Sequence, residues 1–239
     1  MTSGRGEPLE VLVAFPGAGG SAGMFAGLRA CLAGHLQLLI PDTPGRGRRT
    51  HAAQTDVREL AAELCPELRE RISGRPYAVF SACIGTVTAF ELVCEQRRRG
   101  LPMPSKFLVC GRAAPDLAGG LGAYADWSDD MLDMFLRESL PPDYDWDRMP
   151  PELLGVLRRR IRKDIELVAS YEYREEEQLD VAIHAFHGDG DTETTRDDLE
   201  SWRGHAAGRF DLHEVPGGAY FYLTNPEALA QALTGPDGP

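Results

Sequence analysis

Short apolar runs bounded by glycine and proline alternate along the chain with longer stretches in which apolar residues recur at helical spacing. The short runs predict strands at Glu10–Phe15, Leu36–Pro41, Tyr77–Phe80, Lys106–Cys110, Ala182–Phe186 and Phe210–Val215. The longer stretches predict helices near Ala22–Ala33, Thr55–Ile72, Thr86–Arg99 and Thr195–His205, with a terminal helix near Pro226–Leu233. Strands that alternate with helices form parallel sheets, because a parallel partner is reached only through a crossover. The expected fold class is therefore α/β, a mostly parallel central sheet flanked by helices. One interval breaks the alternation. Asp126–Tyr173 contains only helix-like patterns, divided by Pro141-Pro142 and Pro150-Pro151, and is expected to be a mobile helical lid inserted between strands.

At 239 residues and 43% hydrophobic content, one domain spanning residues 1–239 and one core are expected. The formal net charge of −12 argues against a nucleic-acid partner, since neutralising phosphates requires a basic face. Five cysteines at irregular spacing, with no C-x-x-C pair, suggest neither a disulfide framework nor a zinc site; a reducing cytoplasm fits. The N-terminus has no apolar core of a signal peptide, and no apolar run approaches the roughly 18 residues of a membrane span.

Two glycine-rich turns carry the chemistry. Tyr77-Ala-Val-Phe-Ser-Ala-Cys83-Ile-Gly85 followed by Thr-Val-Thr-Ala-Phe reads as strand, sharp turn and helix, with Cys83 at the turn. In α/β-hydrolases the G-x-S-x-G turn raises a nucleophile above the sheet at a helix N-terminus. Here that motif has become Ser81-Ala-Cys83-Ile-Gly85. The other turn, Phe15-Pro-Gly-Ala-Gly-Gly-Ser-Ala, fits neither dinucleotide-binding nor P-loop spacing. As an oxyanion loop it would offer the backbone N–H of Ala18, with that of Ile84 as the second donor.

Further segments stand in the same order: Pro44-Gly-Arg-Gly-Arg-Arg49, Ala89-Phe-Glu-Leu92, Arg162-Lys-Asp164, Ser170-Tyr-Glu-Tyr173, Gly188-Asp-Gly-Asp191, Trp202 and Val215-Pro-Gly-Gly218. Together with the two turns they resemble, over almost the whole chain, the type II thioesterases that accompany polyketide synthases and nonribosomal peptide synthetases. The resemblance implies an α/β-hydrolase fold acting on acyl or aminoacyl thioesters held on the phosphopantetheine of an acyl or peptidyl carrier protein. It implies Cys83 as nucleophile and Asp191 as acid, with no cofactor of the enzyme's own, no metal and no membrane partner. The triad histidine does not carry over. The family's Pro-Gly-Gly-His appears as Pro-Gly-Gly-Ala219, or places Tyr220 in the slot if one residue is inserted. Ala82 stands where a histidine usually precedes the nucleophile, and Ser81 replaces the elbow's first glycine. So many departures together read as divergence of the natural sequence.

A cysteine compensates in part for a missing base, because a few per cent of a free thiol is already thiolate and a helix N-terminus favours more. A depressed Cys83 pKa is accordingly expected. Loading by thioester exchange needs little base, whereas hydrolysis needs an activated water, so transfer is favoured over hydrolysis. His187, at the end of its strand, and Tyr220 are the substitutes for the missing histidine. His213 lies within a strand about 10 Å from that edge and reads as structural; His35, His51, His184 and His205 read as surface or packing residues. Arg97-Arg98-Arg99 and Arg158-Arg159-Arg160 with Arg162-Lys163 are basic patches available to an acidic carrier or simply solvated helix faces. Two other functions remain open: cyclisation or condensation in the same pocket, and non-catalytic binding of a carrier or ligand.

Overall fold

The computed structural model describes residues 10–43, 46–47, 56–117, 126–139 and 145–234. The readings of the N-terminus, of His51, of Pro141-Pro142 and of most of the Pro44–Arg49 motif lie outside the described residues. Six parallel strands form one sheet in the order β2-β1-β3-β4-β5-β6. They are β1 Glu10–Phe15, β2 Leu36–Leu39, β3 Tyr77–Ala82, β4 Lys106–Cys110, β5 Ala182–Gly188 and β6 Phe210–Val215. The helices are α1 Ala26–Cys31, α2 Val57–Ile72, α3 Gly85–Arg98, α4 Asp129–Glu138, α5 Pro151–Ala169, α6 Arg196–Glu200, α7 Phe221–Thr224 and α8 Pro226–Thr234. The predicted first helix is split, its opening turn Ala22–Phe25 being 3-10, and the predicted 195–205 helix likewise becomes α6 plus a 3-10 turn. Among the described residues no helix is long and apolar enough to cross a membrane.

Strand side chains alternate between faces, and here both faces are covered, so the strands read as nearly continuous apolar runs. Val11, Val13, Val79, Phe107 and Val109 pack under α2 and α3. Leu12, Ala14, Phe80, Leu108 and Cys110 face α1, α7 and α8. From β1 the chain crosses to the edge strand β2, then returns past β1 to β3. The loops after β1 and β3 therefore diverge to opposite faces, opening a crevice at the carboxyl ends of those neighbouring strands. A third apolar cluster closes it, with Ala18, Ile84 and Val87 from the sheet edge against Leu132, Leu136, Ile161 and Ile165 of α4 and α5.

Local chemistry sets the element ends. Asp56 caps α2, its Oδ1 accepting from the N–H groups of Arg58 at 2.8 Å and Glu59 at 3.0 Å. Pro66 inside α2 cannot donate to the carbonyl of Ala62, and Arg99 Nη1 reaches that carbonyl at 3.3 Å. Glu91, 1% exposed on α3, accepts from the Tyr171 hydroxyl at 2.8 Å and pairs with Arg58 at 3.2 Å. That network ties the segment after α5 to the elbow helix.

The basic runs are tied into the fold. Arg97 pairs with Glu176 at 2.6 Å, and Arg98 and Arg99 pair with Glu95 at 2.8 and 2.6 Å. Arg158 pairs with Asp133 at 2.6 Å and Arg162 with Asp129 at 2.7 Å. These pairs hold α3 to the segment leading into β5, and α4 to α5, and compensate Arg97, Arg98, Arg99, Arg158 and Arg162 within the fold.

His184 of β5 is 1% exposed, and burial together with neighbouring His213 pushes its pKa down to about 4 from 6.5. Between those values the folded chain binds fewer protons than the unfolded one, so stability is lost as pH falls through that window. The loss attributable to His184 is expected to approach about 3 kcal/mol. Urea melts between pH 7 and pH 4 check this: His184→Leu should flatten the dependence relative to the parent, and an unchanged slope would refute it.

Candidate active site

The position of Cys83 follows from two close approaches. Cys83 sits between β3 and α3 with φ 49°, a left-handed conformation that a non-glycine residue holds only under constraint. Its N–H donates to Cys110 O at 3.0 Å, and its carbonyl accepts from Thr86 N at 3.1 Å. Gly85 lies so near the first loop that a Cβ there would stand 2.2 Å from Pro16 O. Ser81, at the position of the elbow's first glycine, is fully buried and donates its hydroxyl to Leu108 O at 3.3 Å.

The glycine loop after β1 is shaped by the covering helix. Gly19 has φ +75°, and a Cβ on it would meet Ile161 of α5 at 2.7 Å. The Gly19 N–H donates to Asp164 Oδ2 at 2.7 Å, and Asp164 forms an ion pair with Arg46. Arg46 Nη1 in turn donates to Gly20 O at 3.3 Å and to Thr43 Oγ1 at 3.2 Å. Carboxylate and guanidinium so grip two peptide groups beside Ala18, one on either side of the Gly19–Gly20 peptide, which explains the Arg46 and Asp164 positions of the sequence motifs. Burial raises the Asp164 carboxyl above its ordinary value, against the opposing pull of Arg46.

Cys83 opens into a cavity of about 80 Å³. Ala18, Ile84, Trp127, Phe135, Ile161 and Ile165 make its apolar wall, and Arg112, Glu193, Thr194 and Tyr220 its polar end. A larger groove of about 830 Å³ runs along edge strand β2 between Arg29, Asp42, Glu67 and Arg71, away from Cys83. The N–H groups of Ile84 and Ala18, expected as oxyanion donors, both face the Cys83 sulfur and favour its thiolate.

The expected depression of the Cys83 pKa is nevertheless overturned. Burial is the largest influence and drives the thiol above its ordinary value. Arg112 and the Ile84 and Ala18 N–H groups pull it down, Glu193 pushes it up, and the apolar wall prevails. Burial therefore favours the protonated thiol at Cys83.

The residues proposed to partner Cys83 separate. Asp191 Oδ1 accepts from the backbone N–H groups of Glu193 at 2.8 Å and Thr194 at 3.0 Å, closing its own loop, and Asp191 is not in the cavity wall. His187 does end β5 at the right sheet edge. Its Nε2 lies 3.0 Å from Thr194 O, which fixes the proton on that nitrogen, and the ring stays outside the cavity wall with its buried Nδ1 unpaired. The base role proposed for His187 therefore has no geometric support. Tyr220, rather than Ala219, occupies the cavity wall, with its ring edge-on to Phe135 at 5.6 Å. Burial drives its phenol far above the ordinary range, so it serves as a hydrogen-bond donor, with Glu193 Oε2 at 3.4 Å.

Three site residues escaped sequence reasoning. Tyr222 is buried, its ring between Phe25 and Phe80, with its hydroxyl facing the Gly17 N–H and the Cys83 side. Glu193 brings to the cavity a carboxyl raised by burial and by Glu138 and Asp191 nearby. Arg112, just after β4, supplies the positive charge opposite Cys83. Only their place after strand ends or in the histidine loop hinted at a role.

Alkylation of Cys83 by iodoacetamide should accordingly be slow at neutral pH and rise with a midpoint above the ordinary thiol value of about 8.5. Arg112→Leu should move the midpoint further up, because it removes the main charge favouring thiolate. A midpoint below that of a free cysteine would contradict this balance.

The comparisons with known proteins agree with this geometry. Residues 10–235 match the family model described as Thioesterase domain. The chain is 32% identical over 97% of its length to AMB antimetabolite synthetase AmbE of Pseudomonas aeruginosa, and spans 11% of that much longer protein. Among solved structures, the RedJ thioesterase from the prodiginine biosynthetic pathway of Streptomyces coelicolor superposes with a TM-score of 0.82 at 28% identity, over 94% of this chain and 89% of RedJ. The type II thioesterase BorB from the borrelidin biosynthetic cluster gives 0.80 at 31% identity, over 95% and 92%. With the family model matched over nearly the whole chain and its six-stranded parallel sheet flanked by helices, the chain belongs to the thioesterase-domain family, on an α/β-hydrolase fold.

Proposed function

We propose that the protein handles acyl or aminoacyl thioesters on the phosphopantetheine arm of an acyl or peptidyl carrier protein in polyketide or nonribosomal peptide biosynthesis. It works through a covalent Cys83 intermediate, in a reducing cytoplasm, and transfers the acyl group more readily than it hydrolyses it. The observation that carries this reading is that the Ala18 and Ile84 N–H groups face the Cys83 sulfur while Tyr220 lines the same cavity. The substrate carbonyl oxygen occupies the place facing those two N–H groups, where charge develops as the sulfur attacks. The Cys83 S–C bond forms, the pantetheine C–S bond breaks, and the thiol proton ends on the departing sulfur. One thioester replaces another, so the step is nearly balanced in energy. Release to water is harder, because Tyr220 holds its proton too firmly to accept another from water. A carrier thiol or an amine needs less help.

Glu193 favours a second reading. Its carboxyl lines the same cavity and is raised toward neutrality, the property wanted in a general base. Under that reading Glu193 deprotonates water and the acyl-enzyme hydrolyses.

Intact-mass kinetics separate the two. Mixed with an acyl-carrier protein, the parent should accumulate an acyl adduct that Cys83→Ala lacks, and should discharge it quickly only when a second carrier thiol or an amine is added. Tyr220→His should speed hydrolysis and reduce the adduct. Hydrolysis at ordinary thioesterase rates that Glu193→Gln slows by about 10²–10⁴-fold would establish the second reading instead. Product formation unaffected by Cys83→Ala would overturn the covalent mechanism altogether.

A further inference from the structure

Strands β5 and β6 lie side by side at one edge of the sheet, and their register sets His184 beside Asp211 and Phe186 beside His213. Residues two apart on a strand share a face, so these four side chains emerge together. His213 stacks on Phe186 with ring centroids 5.0 Å apart and on His184 at 5.4 Å. The stacking brings His184 Nδ1 to 3.1 Å from His213 Nε2, while Asp211 Oδ2 stands 3.5 Å from the same Nδ1. The three donor atoms lie within 4.8 Å of one another, the only such group among the described residues. His184 is buried, and Asp211 and His213 are half-buried, so the group is held from one side and open to water on the other.

Two imidazole nitrogens and one carboxylate oxygen are a donor set suited to zinc and its neighbours in the first transition row, not to magnesium or calcium, which prefer oxygen alone. The separations fit as well. With metal–ligand bonds of about 2.0–2.1 Å, donors 3.1 and 3.5 Å apart subtend roughly 98° and 115° at the metal, on either side of the tetrahedral angle. The Asp211–His213 pair lies within 4.8 Å, and rotation of the Asp211 carboxylate toward His213 closes it. Arg209 Nε also donates to Asp211 Oδ2 and would orient that ligand from the outer shell. Three protein ligands leave a fourth position for water on the open side.

We propose that His184, Asp211 and His213 form a binding site for one zinc-class divalent ion on the β5–β6 edge. The absence of a metal expected from cysteine spacing could not bear on it, because strand register alone assembles the site. It lies four residues before the end of β5, about 13 Å below the catalytic edge, and so acts on the fold rather than the chemistry. Bound metal would staple the outermost strand to its neighbour, and β6 leads directly into the loop that carries Tyr220.

Metal-free protein titrated with Co(II) tests the proposal. One equivalent should bind with the visible d–d absorption of nitrogen and oxygen ligation and without sulfur-to-metal charge transfer. Zn(II) in excess should raise the melting temperature by several degrees, reversibly with chelator. His213→Ala, a half-exposed change, should fold and lose both effects, and Asp211→Asn should weaken binding. Failure of the parent to bind either ion, undiminished binding by His213→Ala, or a thiolate charge-transfer band reporting the cysteines would each overturn it.

Discussion

The catalytic edge depends on one contact, the seating of Gly85 against the carbonyl of Pro16. There is no room for a methyl group between them. Because α3 begins at that point, the loop after β1 and the elbow after β3 are locked together, and the Ala18 and Ile84 N–H groups converge on one sulfur. The left-handed backbone of Cys83, unfavourable in isolation, is held by the same contact and by the bridge from its N–H to Cys110 O. What looks like a strained residue is the consequence of two loops being drawn into van der Waals contact by the sheet beneath them.

Around this geometry the electrostatics are a contest. Aromatic and aliphatic side chains from α4 and α5 cover much of Cys83, and this burial disfavours its charged form more than Arg112 and two N–H groups favour it. The same burial strengthens every dipole aimed at a developing oxyanion. A pocket that discourages a free thiolate is therefore well suited to stabilising the tetrahedral charge that appears only during reaction. Tyr220 and Tyr222 extend this character, since both are held as neutral phenols.

The strands, the elbow and the oxyanion loop were legible in the sequence because each is encoded locally, by an apolar run meeting glycines at fixed spacing. The turns that carry Cys83, Ala18 and Ile84 could be placed by that grammar, whereas the choice between Ala219 and Tyr220 could not. Nor could partnerships between distant segments. Charge runs such as Arg97-Arg98-Arg99 were visible, but Glu176, 77 to 79 positions away, which neutralises two of them, was not. His187 was read to the correct strand end, yet its ring orientation is decided by the Thr194 carbonyl across a loop. The sign of the Cys83 shift depends on how much apolar surface two inserted helices lay over it, a quantity without a local signature. Glu193 and Arg112 enter the site for reasons of loop path.

The grip of α5 on the glycine loop has a further consequence. Asp164 holds the Gly19 N–H and Arg46 holds the Gly20 carbonyl, so the helix that roofs the cavity also fixes the curvature of the chain that presents Ala18. Any displacement of the roof that admits a bulky guest must slacken that curvature, while its return restores it. The width of the cavity and the placement of the Ala18 N–H are thus coupled through one helix, so a change in how Ile161 and Ile165 pack is felt in the backbone of a loop that neither side chain belongs to.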